Sequence, residues 1–120
     1  MHKINLAISN QDQRGSITDL IVEEINAVTL IKFFKGSVRG NHYHNLTTQW
    51  CFVTKGKLEV STLIDEDRVS EVFSVGDFFV SLPSEPHAFF ALEDSEILTF
   101  TSGPRAGANY EEDTYRIKII

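Results

Sequence analysis

"RGNHYHNLTTQW", residues 39–50, places two histidines one residue apart behind an Arg-Gly-Asn run, with Gln49 five positions after the second. Flanking β-branched and aromatic residues make this stretch a strand. In a strand, residues i and i+2 point to one side. His42 and His44 therefore share a face, and Tyr43 faces the other way. Two imidazoles held this close resist protonation together, because each cation raises the cost of the other. Neutral rings with lone pairs aimed at one point are what a divalent metal requires. The same pair could also work as a general acid and base. A third histidine, His87, follows Pro83 and Pro86 far along the chain, and His2 near the N-terminus has no evident part in the site.

Working outward, the chain reads as short strands separated by turn residues. Residues 27–34, "AVTLIKFF", are β-branched and aromatic. "QWCFVT" (49–54) runs into Lys55-Gly56-Lys57, a hairpin signal. "LEVSTLI" and "RVSEVFSV" alternate apolar and polar side chains about the charged turn Asp65-Glu66-Asp67. Gly76-Asp77 turns the chain into "FFVSLP", and "AFFALEDSEILTFTS" supplies two further strands. Residues 17–26, "ITDLIVEEIN", have the composition of a short helix, but Gly15-Ser16 ahead of them reads as a turn into a strand. "TYRIKII" at 114–120 reads as a last strand, and Glu111-Glu112-Asp113 as a solvated loop. Many short strands with little helix imply an antiparallel sandwich or small barrel. In such a fold most of Trp50, Phe52, Phe78, Phe79, Phe89 and Phe90 fill the interior or an interface between copies.

The bulk numbers are consistent with this. With 120 residues, the length suits one domain spanning 1–120. The hydrophobic fraction of 42% and charged fraction of 23% are those of a globular protein. A net charge of −6 disfavours nucleic acid, while a local Arg or His cluster could still hold a small anion. The lone Cys51 excludes an intrachain disulfide and reads as a small buried hydrophobe. No apolar run approaches the ~20 residues of a membrane helix. "MHKINLAISNQDQRGS" has no signal-peptide core, so the expected location is the cytoplasm.

The spacing carries a resemblance. "GSVRGNHYHNLTTQWCFVTKG" (36–56) resembles the first cupin motif, and "GDFFVSLPSEPHAFFA" (76–91) resembles the second. The resemblance implies an all-β double-stranded β-helix, the cupin jelly-roll barrel, with the histidines at its mouth. It implies a divalent ion (Zn, Fe, Ni or Mn) on His42, His44, His87 and Gln49, or a site that works without metal. Three positions depart from the pattern: Gln49 stands in place of glutamate, Ser84 in place of glycine and Ala91 in place of asparagine. A glutamine brings no charge, so a bound ion would be a stronger Lewis acid held less tightly.

The context "DQRGSITDLIVEEINAVTLIKFFKGSVRGNHYH" is similar to cupins that act on nucleotide-linked sugars in polysaccharide biosynthesis, among them dTDP-4-dehydrorhamnose 3,5-epimerase-like proteins and 3,4-ketoisomerases. The ketoisomerases also carry glutamine at the position of Gln49 and use their paired histidines without metal, but generally lack a counterpart of His87. The resemblance implies an isomerase, with His42 and His44 as catalytic groups. Arg39 would bind a diphosphate or sugar carboxylate, Asn41 a sugar hydroxyl or its own turn, Gln49 the substrate or the ion, and Tyr110 the mouth. The alternatives are a metal-dependent dioxygenase or a non-catalytic sugar- or effector-binding module. Pairing through the sheets implies a homodimer.

Overall fold

In the computed structural model, which describes residues 1–104 and 111–120, two five-stranded antiparallel sheets pack face to face. The strands in chain order are β1 (His2–Lys3), β2 (Asn10–Asp12), β3 (Gly15–Ile17), β4 (Ala27–Phe33), β5 (Val38–Tyr43), β6 (Thr48–Lys55), β7 (Lys57–Ile64), β8 (Asp67–Ser74), β9 (Phe78–Ser81), β10 (His87–Ala91), β11 (Ser95–Ser102) and β12 (Tyr115–Arg116). One sheet runs β1-β9-β6-β11-β4 and the other β12-β5-β10-β7-β8. This is the expected jelly roll. None of the described helical residues forms a segment long and apolar enough to cross a membrane.

The alternation read from the sequence places the core. Along β6 and β11 every second side chain is buried: Gln49, Cys51 and Val53 on one, Ser95, Ile97, Thr99 and Thr101 on the other. The floor of the barrel is aromatic. Phe73 and Phe79 stack with centroids 4.2 Å apart, and Phe89 packs beside them 6.3 Å from Phe79. Above that floor the interior turns polar. Gln49 lies opposite Ser81 on β9 and opposite Thr101 on β11, so a buried row of hydroxyl and amide groups crosses the sheet at the mouth.

Turn chemistry agrees with the reading at Gly56 and Gly76, both in left-handed conformation, and at Asp65-Glu66, which share it. Gly56 is also confined, since a Cβ there would lie 2.4 Å from the Asp94 carbonyl oxygen.

Two segments differ from expectation. Of residues 17–26 only Ile17 is in a strand; Gly15 and Ser16 precede it within β3 and are not a turn, and β2 and β3 form a separate two-stranded hairpin. Leu20, Ile21 and Ile25 are half-buried while Val22 is exposed, so the segment lies over the barrel without a ladder partner. "TYRIKII" contributes only two paired residues, Tyr115 opposite Tyr43 and Arg116 opposite His42. Thr114 N donates to the Glu111 carbonyl, and the backbone of Ile117, Ile119 and Ile120 bonds to Asn41.

Candidate functional site

His42 lies near the end of β5, His44 one residue beyond its end, and His87 opens β10 directly opposite His42. A bulge brings them into line. Gly40 and Asn41 both take positive φ, 90° and 56°, and the β5–β10 register shifts between His87 and Ala88 so that Asn41 is the extra residue. Asparagine tolerates this conformation better than most residues.

The three rings converge. Centroids are 4.7 Å apart for His42–His44, 4.7 Å for His42–His87 and 5.6 Å for His44–His87. One nitrogen of each lies within 4.8 Å of the others. Positions 42, 44 and 87 are thus brought together in space. His44 and His87 are buried and His42 is half-buried. Burial, and then the neighbouring imidazoles, hold the His87 pKa well below its ordinary value, so this ring is neutral. Both nitrogens of His87 lie buried without a hydrogen-bond partner among the described residues.

The other two rings have identified partners at Nδ1. His44 Nδ1 lies 3.0 Å from the Asp113 backbone carbonyl. A carbonyl only accepts, so Nδ1 donates and the lone pair of the neutral ring is on Nε2. His42 Nδ1 lies 3.2 Å from Nη1 of Arg116. A guanidinium only donates, so here Nδ1 accepts and the neutral ring carries its proton on Nε2.

A cavity of about 370 Å³ opens beside the cluster. Its polar wall holds Arg39, Asn41, His42, Gln49, His87 and Arg116, and its apolar wall includes Ile31, Phe33, Phe89 and Ile97. Two guanidiniums and no carboxylate line it. Arg39 makes no ion pair among the described residues; its guanidinium sits 5.6 Å from the Phe33 ring centre. Gln49 reaches in from the opposite sheet, and its amide donates to Cys51 Sγ at 3.6 Å. Cys51 is fully buried, with its thiol pushed up to about 11 by desolvation, which makes it an inert packing group. Asn41 lines the cavity, yet its amide is engaged by the chain end: Oδ1 accepts from Ile119 N (2.9 Å) and Ile120 N (3.0 Å), and Nδ2 donates to the Ile120 carbonyl (3.1 Å). Tyr110 lies outside the described residues.

Sequence reasoning passed over two residues. Asp113, read as part of a solvated loop, is buried, and its carboxylate accepts from Asn45 N (3.1 Å) and Leu46 N (2.9 Å), fixing the turn after His44. Arg116, read only as part of a strand, stands over His42.

A family model described as "Cupin" matches residues 11–111. The pectin degradation protein KdgF of Dickeya dadantii (strain 3937) is 27% identical over 75 residues, 62% of this chain, and the match covers 64% of KdgF, under two thirds of its length. A 3,4-ketoisomerase from Helicobacter canadensis superposes with TM-score 0.76 at 20% identity, over 95% of this chain and 88% of that one. The 3,4-ketoisomerase QdtA from Thermoanaerobacterium thermosaccharolyticum, solved in complex with TDP, gives TM-score 0.72 at 19% identity, over 96% and 85%. The capsular polysaccharide assembling protein CapF from Staphylococcus aureus gives 0.69 at 20%, over 96% of this chain but 35% of CapF. At these identities the solved structures establish a shared architecture, and the chemistry has to be argued from this chain's own side chains.

Proposed function

The chain belongs to the cupin family, and on that footing we propose that it is an isomerase, an epimerase or ketoisomerase, acting on an anionic nucleotide-linked keto-sugar. The observation that carries this reading is the composition of the cavity. Two imidazoles, His42 and His87, and two guanidiniums line it without an acid, with the ring of His44 packed against both imidazoles, in a chain of net charge −6. Such a wall attracts a phosphate or carboxylate and offers proton-transfer groups beside it.

Isomerisation beside a ketone removes a proton from the α-carbon and returns one to the same or the neighbouring carbon. It needs a base, and a donor for the oxygen that gains negative charge. The tautomers supply both. His44, whose Nε2 lone pair is buried beside the cavity-lining rings of His42 and His87, serves as the base. His42 presents Nε2–H and donates to the carbonyl oxygen. The neutral, buried His87 closes the third side, and Gln49 bonds a sugar hydroxyl. Arg39 and Arg116 bind the anionic part. A second cavity of about 340 Å³ shares Phe33, Val38 and Arg39 with the first and adds Lys32, Lys55, the exposed Phe34 and the carboxylates of Asp94 and Glu96, so it offers a nucleobase a ring to stack on while the phosphates stay with Arg39 and Arg116.

A second reading rests on His87, whose two nitrogens have no partner among the described residues. His44 and His87 offer lone pairs that fit a divalent ion, and His42 and Gln49 complete a neutral donor set. When bound, the ion would act as a Lewis acid toward a substrate carbonyl. The contact from Arg116 occupies the His42 lone pair at Nδ1 and adds a positive charge, which favours the acid–base reading. Metal analysis of protein purified without an affinity tag, repeated for His42→Ala, separates the two.

The test of the main reading is incubation with TDP-4-keto-6-deoxyglucose and related sugars in D₂O. Deuterium entering the carbon beside the ketone supports it. No wash-in across the series removes it.

The pairing surface belongs to the same proposal. On the outer face of the β4 sheet, Phe100 lies opposite Trp50 and Val28, and Leu98 opposite Phe52 and Leu30. Val28 and Leu30 are exposed, and the other four are half-buried. A second copy of the chain covering this face gives the homodimer.

A further inference from the structure

Residues 113–120 lie across β5 as a strap. Its attachments are specific. Tyr115 stacks on Tyr43 with centroids 5.1 Å apart and planes 17° apart. Ile117 N donates to the Asn41 carbonyl at 3.0 Å, and the Asn41 side chain holds Ile119 and Ile120 by three further bonds. Ile119 is buried. Asn41 can do this because it is the bulged residue of β5, so its backbone is unpaired with β10 and its carbonyl is open to Ile117 N.

The strap gives each paired histidine a close partner of opposite kind; the Thr114 hydroxyl, 3.5 Å from His44 Nδ1, is farther off than the Asp113 carbonyl and can accept from the same N–H. The Asp113 carbonyl accepts from His44 Nδ1, and the Arg116 guanidinium donates to His42 Nδ1. Neither group can reverse its role. We propose that the strap is the device that sets the two imidazoles in complementary tautomers, with Asn41 as its clasp. Asn41 is then a positioning residue that never needs to meet the substrate. Arg116 positions His42 through Nη1 and lines the cavity, which leaves its remaining donors for the substrate anion. The tautomer assignment stands on geometry alone; its catalytic consequence rests on the isomerase reading.

Long-range ¹H–¹⁵N spectra of the full chain at pH 8, treated with chelator, read the tautomers directly. Wild type is expected to show His44 protonated on Nδ1 and His42 on Nε2. Arg116→Met is expected to turn His42 into a tautomer mixture while His44 stays fixed, and Arg116→Lys to restore the wild-type pattern. Asn41→Ala is expected to release both rings, and Asn41→Asp, which keeps the acceptor for Ile119 and Ile120, to hold them. Amide spectra of the β6, β7 and β11 strands establish that each variant is folded. Identical tautomers at the two rings in wild type, or an unchanged His42 in Arg116→Met, overturns the proposal. On a keto-sugar that turns over, Asn41→Ala lowers kcat by about 10²-fold with little change in KM, whereas Arg116→Met moves both. If no sugar turns over, the isomerase reading fails while the spectra still decide the strap.

Discussion

Gly40 presses against the carbonyl of His87: a Cβ built on it would lie 2.7 Å from that oxygen and 3.1 Å from Ala88 Cα. With φ at +90°, this glycine lets β5 and β10 approach closely enough for His42 and His87 to share one site. Gly40→Ala therefore meets two penalties, a disfavoured backbone conformation of about 1–3 kcal/mol and a clash with backbone that cannot swing aside. Chemical denaturation is expected to show a loss of at least that size, with activity falling further because the third imidazole is displaced. A variant as stable as wild type would contradict the close approach.

His87 costs stability where it stands. A buried polar group without a partner is unfavourable by about 1–3 kcal/mol, so His87→Leu, of similar bulk, is expected to leave the melting temperature unchanged or raise it while abolishing activity. The pH dependence follows from the lowered pKa. Below the ordinary value near 6.5 the unfolded imidazole takes up a proton that the folded one refuses, so the unfolded state binds more protons and stability falls as pH falls. The slope from one such group is up to about 1.4 kcal/mol per pH unit. Unfolding curves of chelator-treated protein between pH 7 and 5 should show this component in wild type and lack it in His87→Leu.

Gln49→Glu tests why this position is an amide. The side chain is buried, with its amide on Cys51 Sγ and with Ser81 and Thr101 as its ladder neighbours, so a carboxylate there pays desolvation. Metal-free Gln49→Glu is expected to be less stable by about 1–3 kcal/mol. Added Mn²⁺ or Ni²⁺ should reverse the loss, with calorimetric affinity at least ~10-fold above wild type from the added Coulomb attraction. Equal affinity in the two proteins would place residue 49 outside any ligand set.

Arg39 is exposed at the rim shared by the two cavities. A charge-assisted hydrogen bond is worth about 1.5–3 kcal/mol, so Arg39→Ala should weaken TDP binding by about 10–100-fold and flatten its salt dependence. Titration calorimetry at two ionic strengths checks both effects. Unaltered affinity would move the phosphates elsewhere.

The Trp50–Phe100 face is expected to bury on the order of 800 Å² per subunit, the scale of a stable pair. Phe100→Asp with Leu98→Asp should give a monomer by light scattering at micromolar concentration. Wild type measuring as a monomer would leave that apolar surface without its proposed occupant.

Local rules made much of this fold readable. The i, i+2 spacing of His42 and His44, the glycine turns at 56 and 76, and the alternation along β6, β7 and β11 each depend on neighbours in sequence. Within residues 17–26, Leu20, Ile21 and Ile25 half-bury without joining a ladder, and burial alone does not make a strand. Arg116 and Asp113 were invisible for another reason. Their partners lie some seventy positions away in sequence, and the link is a two-residue strand anchored by Asn41. Nothing in "EEDTYR" signals that one acid will be buried under a histidine loop, and nothing in "RGNHYH" signals that the asparagine will grip the other end of the chain.

The vertical grading of the barrel interior has an evolutionary corollary. Phe73, Phe79 and Phe89 pack the lower part, while the Ser81-Gln49-Thr101 row and the imidazoles occupy the rim. Because the aromatic packing lies apart from the polar row, an uncharged replacement at the rim that keeps side-chain volume can retune ligand preference without opening a cavity among the packed rings, so new substrates are reachable by single steps through folded intermediates.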